Sequence, residues 1–286
     1  MRLDLEKNRS IFLWLLFAYV SVCLGRAYQC IYWDIPIRSL MWNEDRFAPI
    51  VQSLFGLSWQ EYILHPLSDA YLQSIVSGIG LALIVLCILV LIKFPQWTKN
   101  IALGISFIIL VFIALLYHLE KFQTAGQFFE YSLQFMTPVF LFYYFRYGSS
   151  NTFLYLLKFS IAFTFFSHGL YALGFYPVPG LFVSMTMNIL HCSNTFALNF
   201  LMVVGVLDLI FSVGLFLPGR AFKISIYYCI VWGFLTAFAR IVAHVDFSFL
   251  GSTLHQWWFQ TLFRVPHFVI PLVVLKLING NNAKVG

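Results

Sequence analysis

Residues 71–92 read YLQSIVSGIGLALIVLCILVLI, 22 residues without one charged side chain. As a helix rising 1.5 Å per residue this stretch is about 33 Å long, close to the hydrocarbon thickness of a bilayer. It shows none of the apolar-polar alternation of a barrel strand, so it predicts a membrane-spanning helix. Working outward, runs of the same character recur at Ile11–Leu24, Ile101–Tyr117, Phe128–Phe145, Phe153–Leu173, Phe196–Leu217, Phe222–Ala243 and Trp257–Leu277. The expectation is an all-α integral membrane protein, a bundle of about eight transmembrane helices. The N-terminal half, residues 1–150, and the second half, residues 151–286, would each contribute four.

Composition excludes most other classes. Charged residues make up 10% of the 286 positions and mean hydropathy is +0.85, whereas a soluble domain carries about 25% charged residues on its surface. Soluble, disordered, collagen-like and disulfide-scaffold readings are set aside on that ground. The net charge of +6 does not point to nucleic acid, because the basic residues are dispersed at span ends and form no stripe. Abundant Phe, Tyr and Trp near span ends fit interfacial belts. The first run is read as an uncleaved span, since Val20-Ser21-Val22-Cys23 offers no small residue before a cleavage point.

Orientation follows from Lys and Arg near the span ends. One side collects Arg2, Lys7, Arg9, Lys93, Lys99, Arg146, Arg220, Lys223, Lys276 and Lys284, while the other holds Arg26, Arg38, Arg46 and Lys121. Both termini are therefore expected in the cytoplasm, in a bacterial inner membrane or its equivalent. The outer side would carry two long connections. Residues 34–70 mix aromatics with scattered charges and predict short surface-lying helices. Phe175–Thr195 is apolar enough for a re-entrant or interfacial segment, and the polar tail from Asn279 to Gly286 reads as disordered.

Ionisable groups inside spans are costly and mark functional sites by default. Measured from the outer span ends, Arg240 lies at roughly 5 Å, His168 at roughly 9 Å, Arg264 at roughly 10 Å, and Asp208 and His267 at roughly 15 Å. Glu130 lies near an outer end. This one-sidedness predicts a polar chamber open to the non-cytoplasmic side, lined by Glu130, His168, Asp208, Arg240, Arg264 and His267. The alternative is that each charge has a separate structural partner. Asp208 shares a helix face with Gly205 and Ser212, small residues that would admit a neighbouring helix.

Other chemistry finds little purchase. His191-Cys192 and His244-x-Asp246 with His255 offer metal-ligand atom types, but none of the established metal or haem spacings occurs, so no metal or haem is expected. His168 and His267 form the only pair suited to a haem iron. Cys30 and Cys192 both fall on the outer side, where a bridge is chemically permitted. No nucleophile elbow, Walker loop or Rossmann glycine pattern is present. The interior helix breakers are Pro138, Pro266 and Pro271, and no inverted repeat of the transporter kind is visible.

The last four spans carry Phe166-Ser167-His168-Gly169-Leu170, then Val206-Leu207-Asp208-Leu209-Ile210-Phe211-Ser212-Val213-Gly214-Leu215, then Gly219-Arg220. This half resembles the DoxX-like membrane family, with Asp208 where the family usually has Glu. The layout of the first half, Gly25-Arg26-Ala27-Tyr28-Gln29 followed by the Trp33–Trp42 loop, is similar to the transmembrane region of vitamin K-dependent carboxylases. The DoxX-like resemblance implies a redox-linked membrane subunit, quinone-coupled in some members, with His168 and Asp208 as the positions that correspond.

Three functions stand open at this point. The first is a redox-linked subunit that binds a quinone-like or other amphipathic small molecule, with His168 and Asp208 moving protons and Arg240 or Arg264 offsetting negative charge. The second is a transporter or lipid-handling protein that uses the same chamber. The third is a non-catalytic membrane partner or assembly factor. Whether the protein is an enzyme is left open. Expected partners are membrane lipids, an amphipathic small molecule and a membrane or periplasmic protein, with no nucleic acid.

Overall fold

A computed structural model describes the backbone of residues 2–282 and the side chains of residues 9–279. The side chains of Arg2, Lys7 and Lys284 lie outside those described, as do residues 283–286 of the tail. The described residues form helices throughout, with no strand. In chain order these are α1 (Arg2–Tyr32), α2 (Arg38–Met41), α3 (Glu44–Phe55), α4 (Trp59–Leu64), α5 (Ser68–Leu91), α6 (Gln96–Glu120), α7 (Ala125–Glu130), α8 (Ser132–Phe135) and α9 (Thr137–Tyr147). There follow α10 (Asn151–Ala172), α11 (Gly180–Leu190), α12 (Asn194–Gly214), α13 (Arg220–His244), α14 (Leu250–Leu262) and α15 (Pro266–Asn282). Seven helical stretches are long and apolar enough to cross a membrane: Arg9–Tyr32, Ser68–Leu91, Gln96–Glu120, Asn151–Ala172, Asn194–Gly214, Arg220–His244 and Phe247–Asn279. The protein is an all-α membrane protein.

Three details differ from the sequence reading. The expected fourth span, Phe128–Phe145, is not one helix but the three pieces α7, α8 and α9, bent at Tyr131 and Met136. The last stretch is also broken, between α14 and α15. And α15 runs on through Asn282, into the tail expected to be disordered.

Each break has a chemical cause and a repair. Pro266 has no N–H to give the carbonyl four residues earlier, and that carbonyl, Leu262 O, instead takes Val265 N at 3.1 Å. Neighbouring bonds tighten the same way, with Arg264 N on Thr261 O at 3.0 Å and His267 N on Arg264 O at 2.9 Å, so a 3₁₀-like turn bridges the two helices. At the other break Leu133 N is taken by the Thr164 hydroxyl at 3.2 Å and Gln134 O by the Thr137 hydroxyl at 2.8 Å. Side-chain hydroxyls thus restore hydrogen bonds that an irregular backbone would otherwise lose in an apolar medium.

Pro271 does not break α15, but it withdraws the donor for the carbonyl of His267. That carbonyl lies on Gly233 of α13, where a Cβ would come within 2.4 Å of it, so only glycine admits the contact. Elsewhere α5 crosses α1 at Gly80, whose Cβ would sit 2.9 Å from Ala27 O. Tyr19 of α1 meets Ser106 of α6 through their hydroxyls at 2.9 Å. One apolar core runs from Ile11 to Leu277 through both halves, because α1 packs between α5 and α9 on one side and α14 and α15 on the other.

Residues 125–147 follow α1 in the opposite direction. Gln134 bonds Arg26 and the ring of Phe145 lies 5.2 Å from that of Phe12, contacts 14 residues apart on α1 and hence about 21 Å along its axis. The 34–70 connection holds α2, α3 and α4, with α3 capped by Asn43 and α4 by a reciprocal Ser58–Glu61 box. In that box the Ser58 N–H donates to the Glu61 carboxylate at 2.7 Å, and hydrogen bonding to Ser58 holds Glu61 below the usual glutamate range.

Candidate functional site

Helix α13 sets the site. Tyr228, Trp232, Thr236 and Arg240 recur every four residues, and so stand on one face of the helix. Opposite this face is α12 with Asp208. Tyr228 donates its hydroxyl to Asp208 Oδ1 at 2.7 Å, and Trp232 is a second hydrogen-bonding neighbour of the same carboxylate. Asp208 is thereby brought next to α10. Gly169 and Gly205 meet so closely that a Cβ on either would come within 2.9 Å of the other's carbonyl oxygen, which places His168 beside the acidic helix.

Above Trp232 the helices part around a cavity of about 470 Å³. Its walls are apolar: Phe182, Met185 and Ile189 from α11, Leu201 and Val204 from α12, and Leu235 and Phe238 from α13. Its polar lining is His168, Arg240, Arg264 and His267 at one end, with Asp208 beside Tyr228, about three turns of α13 away from Arg240. Five of the six residues expected to line a chamber therefore share one cavity. Glu130 does not line it. Its carboxylate stands behind His168, 3.8 Å from Nδ1, and accepts from Gln127 Nε2 at 3.2 Å.

The polar end is tightly organised. The rings of His168 and His267 lie 5.7 Å apart, centre to centre. Arg240 donates from Nε to Gln260 Oε1 at 3.0 Å and from Nη1 to Thr236 O at 3.3 Å. Arg264 donates from Nη1 to Gln260 O at 3.2 Å. Neither has a carboxylate within ion-pair distance among the described residues. His267 is only 2% exposed, and its Nδ1 has no hydrogen-bond partner among the described residues. The Arg264 carbonyl close to it already accepts the His267 backbone amide.

Three features of the site were not read from the sequence. The apolar Phe175–Thr195 segment supplies α11, which walls the cavity and is tied to the end of α13 by Asn188 Nδ2 on Ala243 O at 3.2 Å. Gln260 binds one arginine with its side chain and the other with its carbonyl. The four-residue stripe on α13 is a sequence signal that could have shown Tyr228, Trp232 and Thr236. Arg26, placed by sequence in the outer loop, is instead inside α1 and 1% exposed. It donates to Gln29 Oε1 at 2.7 Å and to Gln134 Oε1 at 2.6 Å, and stacks 4.0 Å above the Phe263 ring.

The residues considered for metal or disulfide chemistry lie elsewhere. His244 stacks on Trp257 at 3.8 Å and bonds Arg240 O. His255 sits among Tyr28, Tyr32 and Trp33. Among the described residues no three His, Cys, Asp or Glu side chains converge as a metal site. All five cysteines, Cys30 and Cys192 included, are free thiols. No family model, curated protein or solved structure matches the chain.

Proposed function

We propose that this protein holds an amphipathic small molecule from within the bilayer. The head lies among His168, Arg240, Arg264 and His267, and the apolar body against α11, α12 and α13, with Asp208 further along the same cavity. The observation that carries this reading is the cavity itself, about 470 Å³ of apolar wall on which His168, Arg240, Arg264 and His267 converge. Apolar walls with a few convergent polar groups are the usual build of a small-molecule site.

The rest of the reading follows from the course of the chain. We take residues 125–147 as an eighth crossing, supported by their antiparallel run along α1. Both termini are then cytoplasmic, and the polar end lies toward the outer face of a bacterial inner membrane or its equivalent. The DoxX-like resemblance rests on His168 and Asp208, both at this cavity, and implies a quinone-like ligand and a membrane or periplasmic protein partner. A quinone would supply two-electron, two-proton chemistry. His168 would then exchange protons with its head, while Arg240 and Arg264 donate hydrogen bonds to its oxygens. Lipid handling is the second reading, favoured by the two broken helices, since such breaks commonly frame binding sites in transporters.

The test is to purify the protein in mild detergent, record its absorbance spectrum and identify extractable small molecules by mass spectrometry. An amphipathic molecule should co-purify with the wild type and be lost from folded His267→Phe and Asp208→Asn variants. A protein that carries nothing, with both variants indistinguishable from wild type, would leave only a scaffolding role.

A further inference from the structure

We propose that the ligand is an acidic amphiphile, an anionic head on an alkyl chain, which enters sideways from the bilayer beside α13. This rests on the binding reading above and narrows its ligand away from neutral quinones.

The charge count at the polar end carries the argument. Arg240 and Arg264 are fixed cations with five N–H donors each. Arg240 uses Nε and Nη1, and Arg264 uses only Nη1. Nη2 of both, and Nε of Arg264, therefore have no acceptor among the described residues. Asp208 is engaged with Tyr228, and Glu130 with Gln127 and His168. Helix α15 starts at Pro266, beside Arg264, and adds the positive end of its dipole. His267, buried and without an Nδ1 partner among the described residues, stands in the same wall. A neutral carbonyl would accept hydrogen bonds here but leave two buried cations facing the single nearby carboxylate of Glu130. A carboxylate or phosphate supplies both the acceptors and the charge.

The other end of the cavity fixes the tail and the route. Leu235 and Val242 on α13 and Leu190 on α11 line the cavity and are also exposed, so the cavity reaches the surface beside α13. Beyond Trp232 a second apolar groove continues between α12 and α13, along Phe211, Ile224, Tyr227 and Val231. Trp232 and Tyr228 stand at the junction of groove and cavity. An aliphatic chain can therefore stay in apolar surroundings from the bilayer to the arginines.

The experiment uses the full chain in phosphatidylcholine nanodiscs and follows tryptophan quenching by dibromostearate. Dibromostearyl alcohol and decylubiquinone are the neutral comparisons, and Trp232→Phe identifies the cavity's share of the signal. We expect saturable quenching by the acid, at least tenfold weaker binding of both neutral molecules, and a loss of about 10- to 100-fold in Arg240→Gln and Arg264→Gln. Displacement by phosphatidylglycerol would assign the anion to a lipid headgroup, and its failure to displace would assign it to a free acid. Charge dependence supports the proposal in both cases. Equal binding of acid and alcohol, or indifference to the arginine variants, overturns it and leaves the amphipathic-ligand reading standing. Absence of saturable binding by any of these molecules overturns both. The acid-against-alcohol comparison needs no variant, so a misfolded arginine mutant does not blunt the test.

Discussion

Arg26 and Arg264 are buried arginines that share one aromatic ring, their guanidinium carbons lying 4.0 Å and 4.8 Å from the centre of Phe263. Their surroundings differ. Arg26 is enclosed by protein groups, with Gln29 and Gln134 accepting its hydrogen bonds and Tyr117 and Tyr131 stacked near it. Arg264 spends one hydrogen bond on a backbone carbonyl and turns toward a cavity. The first is built to hold α1 against both broken helices. The second is held in place with capacity to spare. Burial alone therefore does not separate a structural charge from a functional one. The number of donors already satisfied does.

Removing Arg26 should have the largest effect. Arg26→Leu leaves Gln29 Oε1 and Gln134 Oε1 facing an apolar side chain, at about 1–3 kcal/mol for each orphaned acceptor. Thermal unfolding in detergent should show a loss of about 2–6 kcal/mol, while binding by the folded fraction is retained. Arg264→Leu should stay within about 1 kcal/mol of wild type, because it removes a buried charge with no carboxylate at ion-pair distance among the described residues. If the two variants melt alike, the contrast between the arginines is wrong.

Two tight glycines give a smaller, paired test. Gly80→Ala and Gly233→Ala should each cost about 1–3 kcal/mol through overpacking against a carbonyl. Only Gly233→Ala should also impair ligand binding, because it displaces α13 from His267. Equal binding by both would mean that the cavity tolerates movement of its own wall. The smallest expected change is Tyr228→Phe. It removes one donor to Asp208 and should lower stability by about 0.5–1.5 kcal/mol, with the acid still preferred over the alcohol in the quenching assay.

The sequence exposed some of this directly and hid the rest for identifiable reasons. The unbroken apolar runs such as 71–92 marked their helices because hydrophobic length suffices to define a span. The six ionisable residues stood out because charge in an apolar run is conspicuous, but which of them share a cavity depends on helix neighbours, and Glu130 shows the limit. Pro138, in the first turn of α9, marked the bend at Met136, whereas the bend at Tyr131 left no proline to betray it. Pro266 did mark its break, yet Pro271, as visible in sequence, lies inside the unbroken α15. Arg26 looked like a loop residue because α1 continues eight residues past the apolar run that ends at Leu24. The part played by α11 was hidden because a short apolar helix reads the same whether it rests on lipid or walls a cavity.

The sideways opening beside α13 bears on how occupancy should be expressed. A molecule that reaches the arginines by this route never leaves the lipid phase, so the quantity that governs binding is its mole fraction in the bilayer, and the aqueous concentration enters only through partitioning. A scarcely water-soluble compound can then fill the cavity at vanishing free concentration, and diluting the protein with added lipid or detergent empties it at constant total ligand.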